Sequence, residues 1–120
     1  MSIAYYDAII AECNKKIAEL IDSKNQVISV LPNVVSCSDN TINANVIFSN
    51  IVFFNESFGK NEIEKATNVI GNVESNLNCI VDECNEKITK YISKREAAES
   101  AKAALLAEMA RMRSYNNVKE

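Results

Sequence analysis

IAYYDAIIAECNKKIAELIDSKNQVISVL, residues 3–31, decides the fold. Within it Ile3, Tyr6, Ile10, Cys13, Ile17, Leu20, Lys24, Val27 and Leu31 recur at alternating steps of three and four. That spacing keeps these side chains on one face of an α-helix, in the a and d positions of a heptad repeat. Lys24 is the only interruption of the apolar seam. Ser2 stands where a helix cap is needed, with Tyr5 in the first turn. A partial second stripe through Ile9, Ile21 and Ile28 makes the apolar face wider than a two-stranded seam requires, so more than one helix is expected against it. Pro32 predicts the end of this helix, because the residue before a proline is pushed out of the helical region. The first helix so read spans about residues 3–31, roughly 43 Å at the α-helical rise.

Beyond Pro32 the polar run Ser36, Ser38, Asp39, Asn40 and Thr41 predicts a loop that ends in a cap. Residues 41–54 are rich in β-branched and aromatic side chains, which suit a strand. Their spacing suits a helix: Ile42, Val46, Ser49 and Phe53 form one stripe, with Ile47, Ile51 and Phe54 beside it. A lone strand would have no partner in a chain this helical, and a short helix over about 41–54 is the reading. Residues 55–60 form a turn, with Gly59 where a positive φ is expected and Phe58 tucked back between helices.

A long helix follows, over about 61–114 and roughly 80 Å long. Ile63, Ala66, Ile70, Val73, Leu77, Ile80 and Cys84 make its seam, and the phase then slips by one residue to Ile88, a stutter. Gly71 lies inside this helix at about 1 kcal/mol relative to alanine. It is read either as neutral or as a place where another backbone approaches closely. Residues 94–113 are rich in Ala, Glu, Lys and Arg, strong helix formers, with Ala98, Leu105, Met109 and Met112 as a thinner apolar line. Residues 115–120 read as a frayed tail. The fold class expected is all-α: an elongated, coiled-coil-like antiparallel helical hairpin with a short intervening helix, in a single domain of 120 residues.

Composition narrows the function. Two glycines and one proline argue for few, long elements. The net charge of −3 is small and the charges are interspersed, which disfavours nucleic acid as a partner. No apolar run is long enough to span a membrane. Asp7 and Glu12 near the start leave no signal-peptide pattern, so a cytoplasmic location is expected. Histidine is absent, which removes the commonest general base and metal ligand. No phosphate-cradling glycine loop and no paired carboxylates on an apolar face are present, and Glu83 and Glu86 belong to a solvated pattern. No enzyme, cofactor or metal is expected. Cys79 and Cys84 are five residues apart, not a zinc-type spacing, and Cys13 and Cys84 read as small buried apolar side chains.

A first helix half as long as the last leaves apolar seam uncovered, and exposed stripes of that size mark interfaces. The flanking positions expected to bind a partner are Ile9, Ile21, Ile28, Val69, Val81, Ile92, Leu105, Met109 and Met112.

The layout, a long first helix, an aromatic beside glycine at Phe58-Gly59 and a long helical arm, resembles the WXG-type helical hairpins of type VII secretion. More narrowly, it looks like the small partner proteins encoded beside LXG toxins in Gram-positive bacteria. The resemblance covers nearly the whole chain. In it Phe58-Gly59 corresponds to the family's Trp-x-Gly turn, without the tryptophan. The family's export signal, an aromatic followed four residues later by an acid, has its nearest counterpart in Tyr115 and Glu120, with Lys119 at the expected acid position. The resemblance implies a targeting or chaperone-like adaptor. Its partner would be the helical N-terminal domain of a toxin, with a second small helical protein as a further candidate, and it would be co-secreted by a route that reads no signal peptide. The other reading from the seams alone is a self-assembling coiled-coil structural protein, a homodimer.

Overall fold

The computed structural model describes residues 1–49 and 58–119. They form two helices, α1 (Ile3–Ser49) and α2 (Phe58–Lys119), and no strand. Ser2 caps α1 as its side chain predicts: its hydroxyl oxygen accepts the Tyr5 N–H at 3.2 Å.

Pro32 does not stop α1. The helix runs through it for 47 residues, so neither the predicted loop at 33–40 nor a separate short helix exists. Residues 41–49 are the last turns of α1, while 50–54 and the turn residues 55–57 lie outside the described residues. Proline removes one backbone donor, and the carbonyl that loses it belongs to Ile28. Pro32 and Ile28 are both exposed, so water can serve that carbonyl. The gain that outweighs the break is the seam, which keeps its phase: after Leu31 the half-buried positions continue as Val34, Ser38, Thr41 and Asn45.

α2 is also longer than its sequence pattern implied. It begins at Phe58, which puts Gly59 in its first turn and not in a connecting turn, and it continues to Lys119 through the supposed frayed tail. Its inward face is Ile63, Thr67, Ile70, Glu74, Leu77, Val81, Cys84, Ile88, Tyr91, Arg95, Ala98, Lys102 and Leu105. These steps of four and three never slip, so the stutter after Cys84 is absent. The more apolar alternatives Ala66, Val73 and Ile80 stay exposed. A helix committed to one phase near Cys84 carries it back turn by turn, and Thr67 and Glu74 inherit inward positions. Thr41 and Thr67 fit because each hydroxyl donates to its own helix, to the Cys37 and Ile63 carbonyls, both at 2.8 Å, leaving a methyl to pack. Gly71 meets no atom within 4 Å of where a Cβ would stand. Among the described residues of this chain no backbone approaches it.

The chain divides into two compact units. The first pairs residues 1–22 with 84–120, and the second comprises 23–83. In the first unit Asp7 meets Lys102 at 2.6 Å and Asn14 meets Arg95 at 2.9 Å. Seven residues forward on α1 match seven residues back on α2, so the helices run antiparallel in heptad register. The expected all-α class holds, and within the first unit the two helices pair antiparallel in a coiled-coil-like way. Among the described residues the buried apolar core is only Cys13, Ile17, Cys84 and Ala98.

Candidate protein-binding surface

A pair of helices sealed by one seam leaves two sides, each built from the positions that flank that seam. In an antiparallel pair the residues following d lie on one side of both helices, and those preceding a lie on the other. The first unit displays both. On one side Lys102 and Arg95 reach across to Asp7 and Asn14, and Arg95 also lies 3.8 Å from Glu99. On the other side Ile9 of α1 and Lys94 of α2 share a shallow groove of about 260 Å³ with Tyr5, Tyr6 and Ala97. The two tyrosine rings sit edge to face at 5.4 Å.

In the second unit the α1 positions that continue Asp7 and Asn14 are apolar and open. Asp7 and Asn14 belong to a heptad position that α1 continues as Ile21, Ile28, Val35 and Ile42. Within the second unit Ile28, Val35 and Ile42 are 42%, 39% and 48% exposed. They form a ridge that climbs α1 one side chain every two turns. Along α1 charge is scarce: residues 25–49 contain a single charged residue, Asp39. Depletion of charge with retention of apolar surface is the compositional mark of an interface core.

The flanking residues inferred from the sequence fall into four groups. Ile21, Ile28 and Val69 are exposed. Ile9 and Ile92 are half-buried beside the seam, whereas Val81 and Leu105 are half-buried within it, as its members and not its flanks. Met109 and Met112 continue the seam of α2 in phase but are exposed. With Asp7 level with Lys102, they lie past the first turn of α1 and have no α1 residue opposite. Tyr115 is exposed on the last turns of α2, and Glu120 lies outside the described residues. Sequence reasoning missed Val35 and Ile42 on α1, and it put Val73 and Ile80 of α2 in the seam. Adding seven twice to Ile28 would have found the first two.

The site offers little chemistry of other kinds. All four cysteines are free, with Cys13 and Cys84 buried as expected and Cys37 and Cys79 exposed. No group of three metal-ligating side chains occurs among the described residues. Among the described residues one ion pair is clearly perturbed: Arg111 donates to both carboxylate oxygens of Glu108, at 3.1 and 2.6 Å. Those hydrogen bonds, and the guanidinium charge, hold the Glu108 carboxyl below its ordinary range and the Arg111 guanidinium above its own. Among the described residues no helix is long and apolar enough to cross a membrane.

Compared with known proteins, the chain matches no family model, no curated protein and no solved structure.

Proposed function

We propose that this chain is a non-catalytic helical adaptor that binds the helical N-terminal domain of a secreted toxin and delivers it for type VII export. The observation that carries the reading is the ridge of Ile28, Val35 and Ile42. Three large apolar side chains at heptad spacing, about 40 to 50% exposed, form a ridge with the period that a packed partner helix would match. Each has apolar area still to bury, and full burial of such a side chain is worth about 1.5–3 kcal/mol. A partner helix with apolar residues at the same period would gain at most about half of that, the share still exposed. The resemblance of the layout to partner proteins of LXG toxins names the kind of helix. The adaptor would meet the toxin in the cytoplasm and accompany it through a route that reads no signal peptide.

The test is coexpression with the N-terminal helical domain of the toxin encoded beside it. The two chains are expected to copurify at fixed stoichiometry, and Ile28→Glu with Ile42→Glu is expected to release the toxin domain while leaving the helical content of the adaptor unchanged. Failure of the wild-type pair to copurify refutes the reading.

A further inference from the structure

The two compact units differ in what holds their helices together. The buried apolar side chains among the described residues, Cys13, Ile17, Cys84 and Ala98, all belong to the first. Its polar inward residues on α2, Arg95 and Lys102, each bond across to α1, at Asn14 and Asp7. In the second unit, residues 23–83, polar side chains take inward positions on both helices: Lys24, Ser38, Thr41 and Asn45 on α1, Thr67 and Glu74 on α2. Leu31, Val34, Ile70 and Leu77 lie among them and are half-buried. A polar side chain at a seam position contributes less burial than a leucine would, and facing inward costs a charged one hydration. The chain's one proline and both its glycines, Pro32, Gly59 and Gly71, fall in this unit as well. Pro32 removes a hydrogen bond from the interior of α1, and Gly71 lowers the helix propensity of α2.

We propose that residues 23–83 open as a cooperative unit of their own, their helices parting while residues 1–22 and 84–119 stay packed. A region with a sparse apolar interior lies at the low end of a protein's range of local stabilities and opens at less cost than global unfolding. Helical segments of this length are marginal in water once they lose their packing, so parting the two exposes their amides to solvent. Opening also changes what α1 shows. Closed, it displays the ridge of Ile28, Val35 and Ile42. Open, the seam residues Val27, Leu31 and Val34 become accessible as well, and the same stretch of chain offers its seam and its ridge together. The second unit is thus a switch between a narrow apolar surface and a wide one, and its polar seam residues set how often it opens. The opening needs no partner and is independent of the adaptor reading.

The experiment is native-state hydrogen exchange of the full chain, in water and in urea well below the unfolding transition. After correction for intrinsic rates, amides of residues 24–46 and 63–82 are expected to exchange about tenfold or more faster than those of residues 10–20 and 85–102. They are also expected to quicken in common as urea rises, the mark of a shared opening that exposes surface. Ile17→Val, in the first unit, is expected to lower protection there several-fold and to leave the second unit unchanged, because that unit opens without disturbing residue 17. Glu74→Leu is expected to raise protection several-fold on both helices of the second unit. Equal protection of the two units in the wild-type chain overturns the proposal, a readout that needs no variant to fold. So does a loss in Ile17→Val shared by both units, which is the response of a chain that opens as one. Exchange of residues 24–82 that ignores urea overturns it too, since each turn then frays alone. A chain of uniform protection that still copurifies with the toxin domain would sink the opening and leave the adaptor reading standing.

Discussion

The Lys102 ammonium of α2 lies 2.6 Å from the Asp7 carboxylate of α1, and seven residues along each helix Arg95 meets Asn14 at 2.9 Å. These two contacts fix the direction and register of the first unit. Both side chains of the ion pair are partly exposed, at 32% and 51%, so its value lies more in specifying alignment than in strength. A double-mutant cycle with Asp7→Ala and Lys102→Ala is expected to return a coupling of about 0.5 kcal/mol, shrinking as salt is added. A coupling indistinguishable from zero at low salt would mean that the pair does not hold the register.

Ile17 is buried and Ile21, one turn on, is not. Ile17→Ala is expected to cost about 2–3 kcal/mol, near the low end for core truncations, because a single pair of helices can relax around the gap. Ile21→Ala should cost under about 1 kcal/mol. Urea unfolding of the two variants measures the difference, and equal costs would contradict the assignment of the seam.

Replacing Pro32 restores an N–H donor for the Ile28 carbonyl. Pro32→Ala is expected to raise stability by about 2 kcal/mol, the helix-interior penalty of proline less the entropy that proline removes from the unfolded chain. Were residues 33–40 a loop, the same substitution would be neutral or destabilising. Its sign in a urea titration therefore decides between one helix and two.

Glu74 occupies an inward position of α2 that an apolar residue would fill better. Glu74→Leu is expected to stabilise the chain by about 1 kcal/mol. Val73→Leu, on the exposed flank one residue earlier, should change stability by less than about 0.5 kcal/mol. The reverse ranking in thermal melts would restore the slipped seam that the apolar pattern alone suggests.

The Glu108 carboxyl is held low by Arg111. A group with a depressed folded-state pKa stabilises above its unfolded pKa, and that contribution is lost as pH falls through the folded value. An NMR pH titration is expected to place Glu108 below the ordinary glutamate range. Arg111→Gln should return it to the ordinary range. Because both side chains of the pair are exposed, no change in global stability is expected.

How much was legible follows from the physics of each element. Helical class, the seam of the first 31 residues and the burial of Cys13 and Cys84 could be read directly, since periodicity is a local property that every turn repeats. Proline misled because its rule is local too: it states the cost of one lost hydrogen bond but not the packing that α2 returns over the turns beyond it. The seam of residues 63–84 misled for the opposite reason. Ala66, Val73 and Ile80 make the more apolar line, yet α2 faces α1 with Thr67, Glu74 and Val81. The candidate surface was visible only in part for the same cause, because which apolar residues flank a seam depends on which residues are in it.

By itself the order of residues determined that this protein is helical and that its apolar side chains exceed what one seam can hold, because composition and period are counted along the chain. Only the tertiary structure decided that one helix passes through Pro32, that the seam of α2 runs unbroken, and which apolar side chains are left facing water. Those outcomes turn on the phase at which two long helices meet. A rigid helix has one phase for all its turns, so it is chosen by the sum of contacts along both partners and not by the best local match.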